Sequence, residues 1–176
     1  MSHRDRRFVT IARGGSLTAK SHSILALWAA DCAAEVLPLF ERTTKDSRPR
    51  NAILIGRAWS AGIVKTGAAM MASLVAHAAA RKTKDPIAKS SARAAGQAVA
   101  TAHCADHSMG ALLYALKTYE QRGKSSESFL KAQLAKLPAK LRPMVREGVL
   151  SRLSGRVCPK KRIKRERLRG EIKKSD

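Results

Sequence analysis

At 176 residues and 44% hydrophobic content, the chain suits one domain large enough to bury a core. No apolar run approaches the roughly eighteen residues of a membrane span, and MSHRDRRFVTIARGG is charged without an adjacent apolar block, so it does not read as a signal peptide. The net charge of +22 would attract nucleic acid, an anionic membrane or an acidic protein, unless it reflects the whole proteome of the host.

Part of that charge is local. Residues 156–176 hold ten Lys or Arg against Glu166, Glu171 and Asp176, and the rest is spread over the preceding chain. Cys32, Cys104 and Cys158 form no CxxC pair, and an odd, scattered set reads as reduced thiols in a cytoplasm. Aromatic residues are few at 4% and alanine dominates, which favours helices packed at close range.

Residues 1–20 read as a basic arm with a short extended piece, Phe8-Val9-Thr10-Ile11, closed by Gly14-Gly15. A first helix is predicted from Ser21 or Ser23 to about Arg42, with the stripe Leu25, Trp28, Cys32, Val36 and Phe40 and a kink at Pro38. Asp46-Ser47-Arg48-Pro49 opens a second helix carrying Ile53, Leu54, Ala58 and Trp59 and stopping near Gly62. A third runs from about Ile63 to Arg81 and is packed with Gly67, Ala68, Ala69, Ala72, Ala76 and Ala79. Asp85-Pro86 repeats the cap-plus-proline signal and opens a long helix in which Ala92 to Tyr119 is continuous. After Gly123, a shorter helix presents Phe129, Leu130, Leu134 and Leu137 and ends at Pro138; another covers about Leu141 to Leu153. The lysine- and arginine-rich segment 156–176 has little apolar area and reads as a flexible tail. The expected fold is therefore all-α: a single helical domain of five or six helices over residues 21–155, with a basic tail.

His103, Asp106 and His107 carry the most chemistry. At i, i+3 and i+4 of a continuous helix they share one side with Gly96, Val99, Gly110 and Leu113. Burying such groups unpaired costs about 1–3 kcal/mol each, so the cluster is either an internal network or a recognition site. Two histidines at this spacing can ligate a metal, with His77, Asp31 or Cys32 as further donors. Without a cysteine pair or the glutamate of HExxH, that signal is too generic to assign a metal or another cofactor.

Trp28, Asp31, Cys32 and Glu35 occupy adjacent turns of the first helix. Trp28, Cys32 and Trp59 are expected as structural anchors, and Asp31 as an ion-pair partner of Arg48 or Arg57 on the next helix or of a cationic partner. Arg48, Arg50 and Arg57 beside Trp59 could hold a phosphate or stack a base, although few other aromatics interleave with the basic residues. Neither Gly14-Gly15 nor Gly123-Lys124-Ser125 has P-loop spacing, and no nucleophile–base arrangement is legible, so nothing demands an enzyme.

Four stretches together carry a family resemblance: FVTIARGGSLT, LALWAADCAAEVLPLFE at Leu25–Glu41, RPRNAILIGRAW at Arg48–Trp59, and ARAAGQAVATAHCADHSMGALLYA at Ala92–Ala115. The chain from about Phe8 to Tyr119 resembles the immunity-five-like immunity proteins of bacterial polymorphic-toxin systems. The tryptophan–alanine–aspartate–cysteine run and the His-x-x-Asp-His motif are its distinctive parts. The resemblance implies an all-helical cytoplasmic protein that binds and neutralises a cognate toxin without catalysis. The candidate contact residues are Asp31, Arg48, Arg57, His103, Asp106 and His107. The alternative function is an accessory nucleic-acid-binding protein that uses residues 156–176 and basic helix faces.

Overall fold

The computed structural model describes residues 5–155, which form an all-helical fold; the segment read above as a basic tail lies outside the described residues. Two short 3₁₀ turns, Arg6–Phe8 and Ile11–Arg13, lead into α1 (Ala19–Ala34) and the single-turn α2 (Leu37–Glu41). Then come α3 (Arg48–Ser60), α4 (Thr66–Lys82), α5 (Pro86–Ala100), α6 (His107–Gln121), α7 (Ser126–Ala135) and α8 (Arg142–Gly155). None of these helices is long and apolar enough to cross a membrane.

Eight α-helices among the described residues exceed the expected five or six because two predicted helices are each broken once. The first break falls at Glu35–Val36. Pro38 sits in the first turn of α2, where its missing N–H is harmless, instead of kinking a continuous helix. The second splits the predicted long helix at residues 101–106 and is the more consequential. The N-terminal piece predicted as extended is instead the pair of 3₁₀ turns, joined to the chain before α1 by an isolated Thr10–Leu17 bridge. Thr18, upstream of the predicted serines, caps α1 by accepting from the Ser21 amide.

Helix α5 lies at the centre and packs against α1, α2, α3, α4 and α6. Its sequence explains this position: Ala88, Ala92, Ala94, Ala95, Ala98 and Val99 are all fully buried, and small side chains let neighbouring helices approach closely on every side. At the closest approach, a Cβ on Gly56 of α3 would lie 3.5 Å from the Val99 Cα, ordinary contact that a longer side chain would exceed. Buried hydroxyls find backbone acceptors: Ser91 donates to the Val36 carbonyl at 2.7 Å and Ser73 to that of Gly96 at 3.0 Å. The larger apolar residues gather on the other flank, where Leu25, Trp28, Leu112, Leu116, Phe129, Val145 and Val149 form the main core with Phe8 and Leu17.

The start of α5 is set by Asp85, whose Oδ1 accepts from the Ile87 amide at 2.8 Å and the Ala88 amide at 3.4 Å ahead of Pro86. Asp85→Ala removes this cap from the central helix and should lower folding stability by about 1 kcal/mol, read from the urea midpoint at constant slope. Asp85→Asn should recover most of the loss.

Candidate functional site

The break between α5 and α6 builds the site. At residues 101–104 the amides bond three residues back: Thr101 to Ala98, Ala102 to Val99, His103 to Ala100 and Cys104 to Thr101, at 3.1–3.2 Å. The Thr101 hydroxyl donates to the Gln97 carbonyl at 3.3 Å, a side-chain bond that competes with helix continuation. The last carbonyls of α5 are thus satisfied within the turn itself, and carbonyls of the turn take further donors from three remote elements. His22 Nε2 of α1 meets the Thr101 carbonyl at 2.6 Å, Arg13 donates to the His103 carbonyl at 3.2 Å, and Arg152 of α8 donates to the Asp106 carbonyl at 3.2 Å. A second Arg152 nitrogen reaches Asp106 Oδ2 at 3.1 Å, while Cys104 Sγ–H donates to Asp106 Oδ1 at 2.7 Å.

Four of the chain's five histidines converge on this corner. The rings of His103 and His107 lie 5.0 Å apart, tilted by 54°. His107 Nδ1 donates to Gln97 Oε1 at 2.7 Å; a Cβ on Gly110 would come within 2.4 Å of that oxygen, so the glycine leaves room for the amide that holds His107. His77 of α4 occupies the same kind of recess. A Cβ on Gly96 would lie 2.6 Å from its imidazole, and its Nδ1 is buried without a hydrogen-bond partner. Burial pulls the His77 pKa down to about 4, reinforced by Arg93, Arg81 and His107. Burial also lowers the pKa of His22, against the opposing pull of its bond to Thr101. Both rings are therefore neutral at pH 7. With a carbonyl as its partner, His22 carries its proton on Nε2.

Beside this corner opens a cleft of about 190 Å³. Phe8, Val9, Thr10 and Arg13 form one wall, the turn Ala102–Ala105 another, and His22, Trp59 and Thr66 the rest. Trp59 meets His22 edge-on with centroids 4.9 Å apart, and its indole N–H donates to Thr66 Oγ1 at 3.1 Å.

The contact residues expected from sequence do not form one patch. His103, Asp106 and His107 are together, but in a turn and at the start of α6, not along one helix face. Asp31 and Arg57 pair at 2.8 Å, both about two-fifths exposed, bridging α1 and α3. Arg48 stands eleven residues before Trp59, about 16 Å away along α3, and its guanidinium pairs with Asp46, which holds that carboxyl below its ordinary range. Trp28 is 4% exposed and Cys32 fully buried, with the thiol pushed up by burial. Trp59 is only partly buried, packing on the cluster of Ala52 of α3, Ala69, Ala72 and Ala76 of α4, Val99 of α5 and Ala102 of the turn. Sequence reasoning did not identify Arg13, His22, Thr66, Gln97 or Arg152. Gln97 stood beside a singled-out glycine, whereas Arg152 acts from 46 residues away and left no local signal.

This arrangement offers a recessed, mixed polar and aromatic surface. Among the described residues, no group of three or more His, Cys, Asp or Glu is placed to hold a metal ion. The family model described as Imm-5 like putative immunity protein matches residues 15–140, covering α1 through α7 and the whole histidine corner. No curated protein matches the chain, and no solved structure does.

Proposed function

Because this chain belongs to the Imm-5 like putative immunity protein family, we propose that it binds a cognate toxin directly in the cytoplasm and holds it inactive without breaking a bond. The family match carries this reading, and the cleft supports it. A partner side chain entering between Trp59, His22 and Arg13 would meet an aromatic edge and polar groups already fixed by their own hydrogen bonds, so little ordering remains to oppose binding. His103, Asp106 and His107 would contact the toxin at the rim of that cleft. Asp31 and Arg57 would contribute from the α1–α3 bridge and Arg48 from the far end of α3, where exposed charges act mainly on association rate.

The test is co-expression with a candidate toxin, identified as the protein that co-purifies with the tagged chain. Growth should be rescued and the two chains should co-purify through high salt and nuclease treatment. Trp59→Ala together with Arg13→Ala should weaken the complex by about 100-fold, the scale of central anchors, measured at a temperature where circular dichroism shows the variant still folded. A toxin that remains fully active in the presence of excess protein would refute the reading.

A further inference from the structure

Helix α4 is built inside out. Its buried face consists of Ala69, Ala72, Ser73, Ala76, Ala79 and Ala80, all small. Its large hydrophobic residues face the other way: Met70, Met71, Leu74 and Val75 are 46%, 61%, 61% and 40% exposed. At 100° per residue these four fall on one side of the helix, in line with Gly67 and Ala78. Ile63, 77% exposed, stands just before the helix begins. Single exposed apolar residues are ordinary, but a row of four on one helix marks an interaction surface. Nothing in the packing of α4 requires them, because its contacts with α3 and α5 use the alanine face.

The surrounding charge selects the occupant. Lys65 precedes the stripe, Arg81 and Lys82 follow it, and α4 contains no carboxylate. Seven of the ten Asp and Glu between residues 5 and 155 are in ion pairs, and Asp85 caps α5, so little negative charge remains to offset the cations around this face. A second copy would bring the same three cations against themselves. We infer that the outer face of α4 docks an amphipathic helix of the partner protein whose apolar stripe is flanked by Asp or Glu; the inference rests on the toxin-binding reading for the partner being a protein. Two adjacent methionines suit this task, since unbranched, polarisable side chains adapt to the knobs of another helix.

The test needs no toxin. The full chain, labelled at its methionine methyl groups, is titrated with a synthetic helical peptide carrying leucine on one face and glutamate on both flanks. A control peptide carries lysine in place of each glutamate. The Met70 and Met71 methyl signals should move with the acidic peptide while that of buried Met109 stays, and the lysine peptide should bind at least tenfold more weakly. Met71→Ser combined with Leu74→Ser should weaken acidic-peptide binding by about tenfold and leave the melting temperature unchanged, because both side chains are already exposed. Equal binding of the two peptides, an unmoved Met70 and Met71, or a dimer in sedimentation that this double variant dissolves would each overturn the inference. None of these results bears on whether the protein rescues cells from its toxin, so the two readings fail separately.

Discussion

Trp28→Ala should cost about 3–5 kcal/mol of folding stability, read from urea unfolding. Trp28 lies in the main core, 4% exposed, and its indole N–H donates to the Gln133 carbonyl at 2.9 Å. Truncation therefore combines three losses: the apolar area of the ring, the cavity left where α1 meets α7, and one of the two donors of the Gln133 carbonyl, which keeps the Lys136 amide at 3.2 Å. The chain has few large side chains to refill the gap, being 4% aromatic and rich in alanine. Two further ties seat α7 on α1: the Cys32 thiol approaches Gln133 Oε1 at 3.6 Å, and Lys136 pairs with Glu35 at 2.9 Å. The second is largely exposed and contributes at most about 1 kcal/mol. Trp28→Phe keeps most of the buried area and should lose only about 1–2 kcal/mol. A loss below 1 kcal/mol for the alanine variant would show that α7 does not depend on Trp28.

Acid should weaken the fold over the window from pH 6.5 to 4. His77 has a folded pKa of about 4 against 6.5 for an unperturbed imidazole, so across this interval the unfolded chain binds the proton and the folded chain does not. Stability is then complete above pH 6.5, falls as pH drops toward 4, and levels off below. The loss from this one group is about 3 kcal/mol, and His22, displaced in the same direction, adds to it. Arg81, Arg93 and His107 face His77, and each disfavours a positive charge there. The depressed carboxyls of Asp5 and Asp46 act below this window, since their stabilising pairs with Arg7 and Arg48 are lost only as pH falls below about 4. Urea midpoints collected from pH 7.5 to 4.5 should show the slope, and His77→Leu should remove most of it. An unchanged slope in that variant would place the titration elsewhere.

The helical class and most helix starts were legible because their signals are local. Asp85-Pro86 marked a true boundary, and so did Arg48-Pro49. The ion pair between Asp31 and Arg57 was legible as one of three options, beside Arg48 and a cationic partner, since short connections pack neighbouring helices together. The turn at 101–106 was not legible. Alanine at 98, 100, 102 and 105 fits a helix or a tight turn equally well, and the apolar rhythm reads through the interruption. What favours the turn is tertiary: Arg13, His22 and Arg152 donate to carbonyls of the turn, and their distance in sequence hides them. For the same reason, the direction in which α4 faces could not be read from its letters. Two apolar faces of different side-chain size look alike until neighbours choose one.

The ties that hold the α5–α6 corner also give it a place in time. They join residues 79, 90 and 46 positions apart, whereas α3, α4, α5 and α6 meet largely in the order in which they are made. During synthesis the corner must wait for Arg152, near the end of the described chain, after every other helix has emerged. Until then Asp106 lacks the Arg152 guanidinium, although Arg13 and His22 are already made. A nascent chain would thus complete this corner last, and a ribosome stalled before α8 would display helices with the corner unfinished.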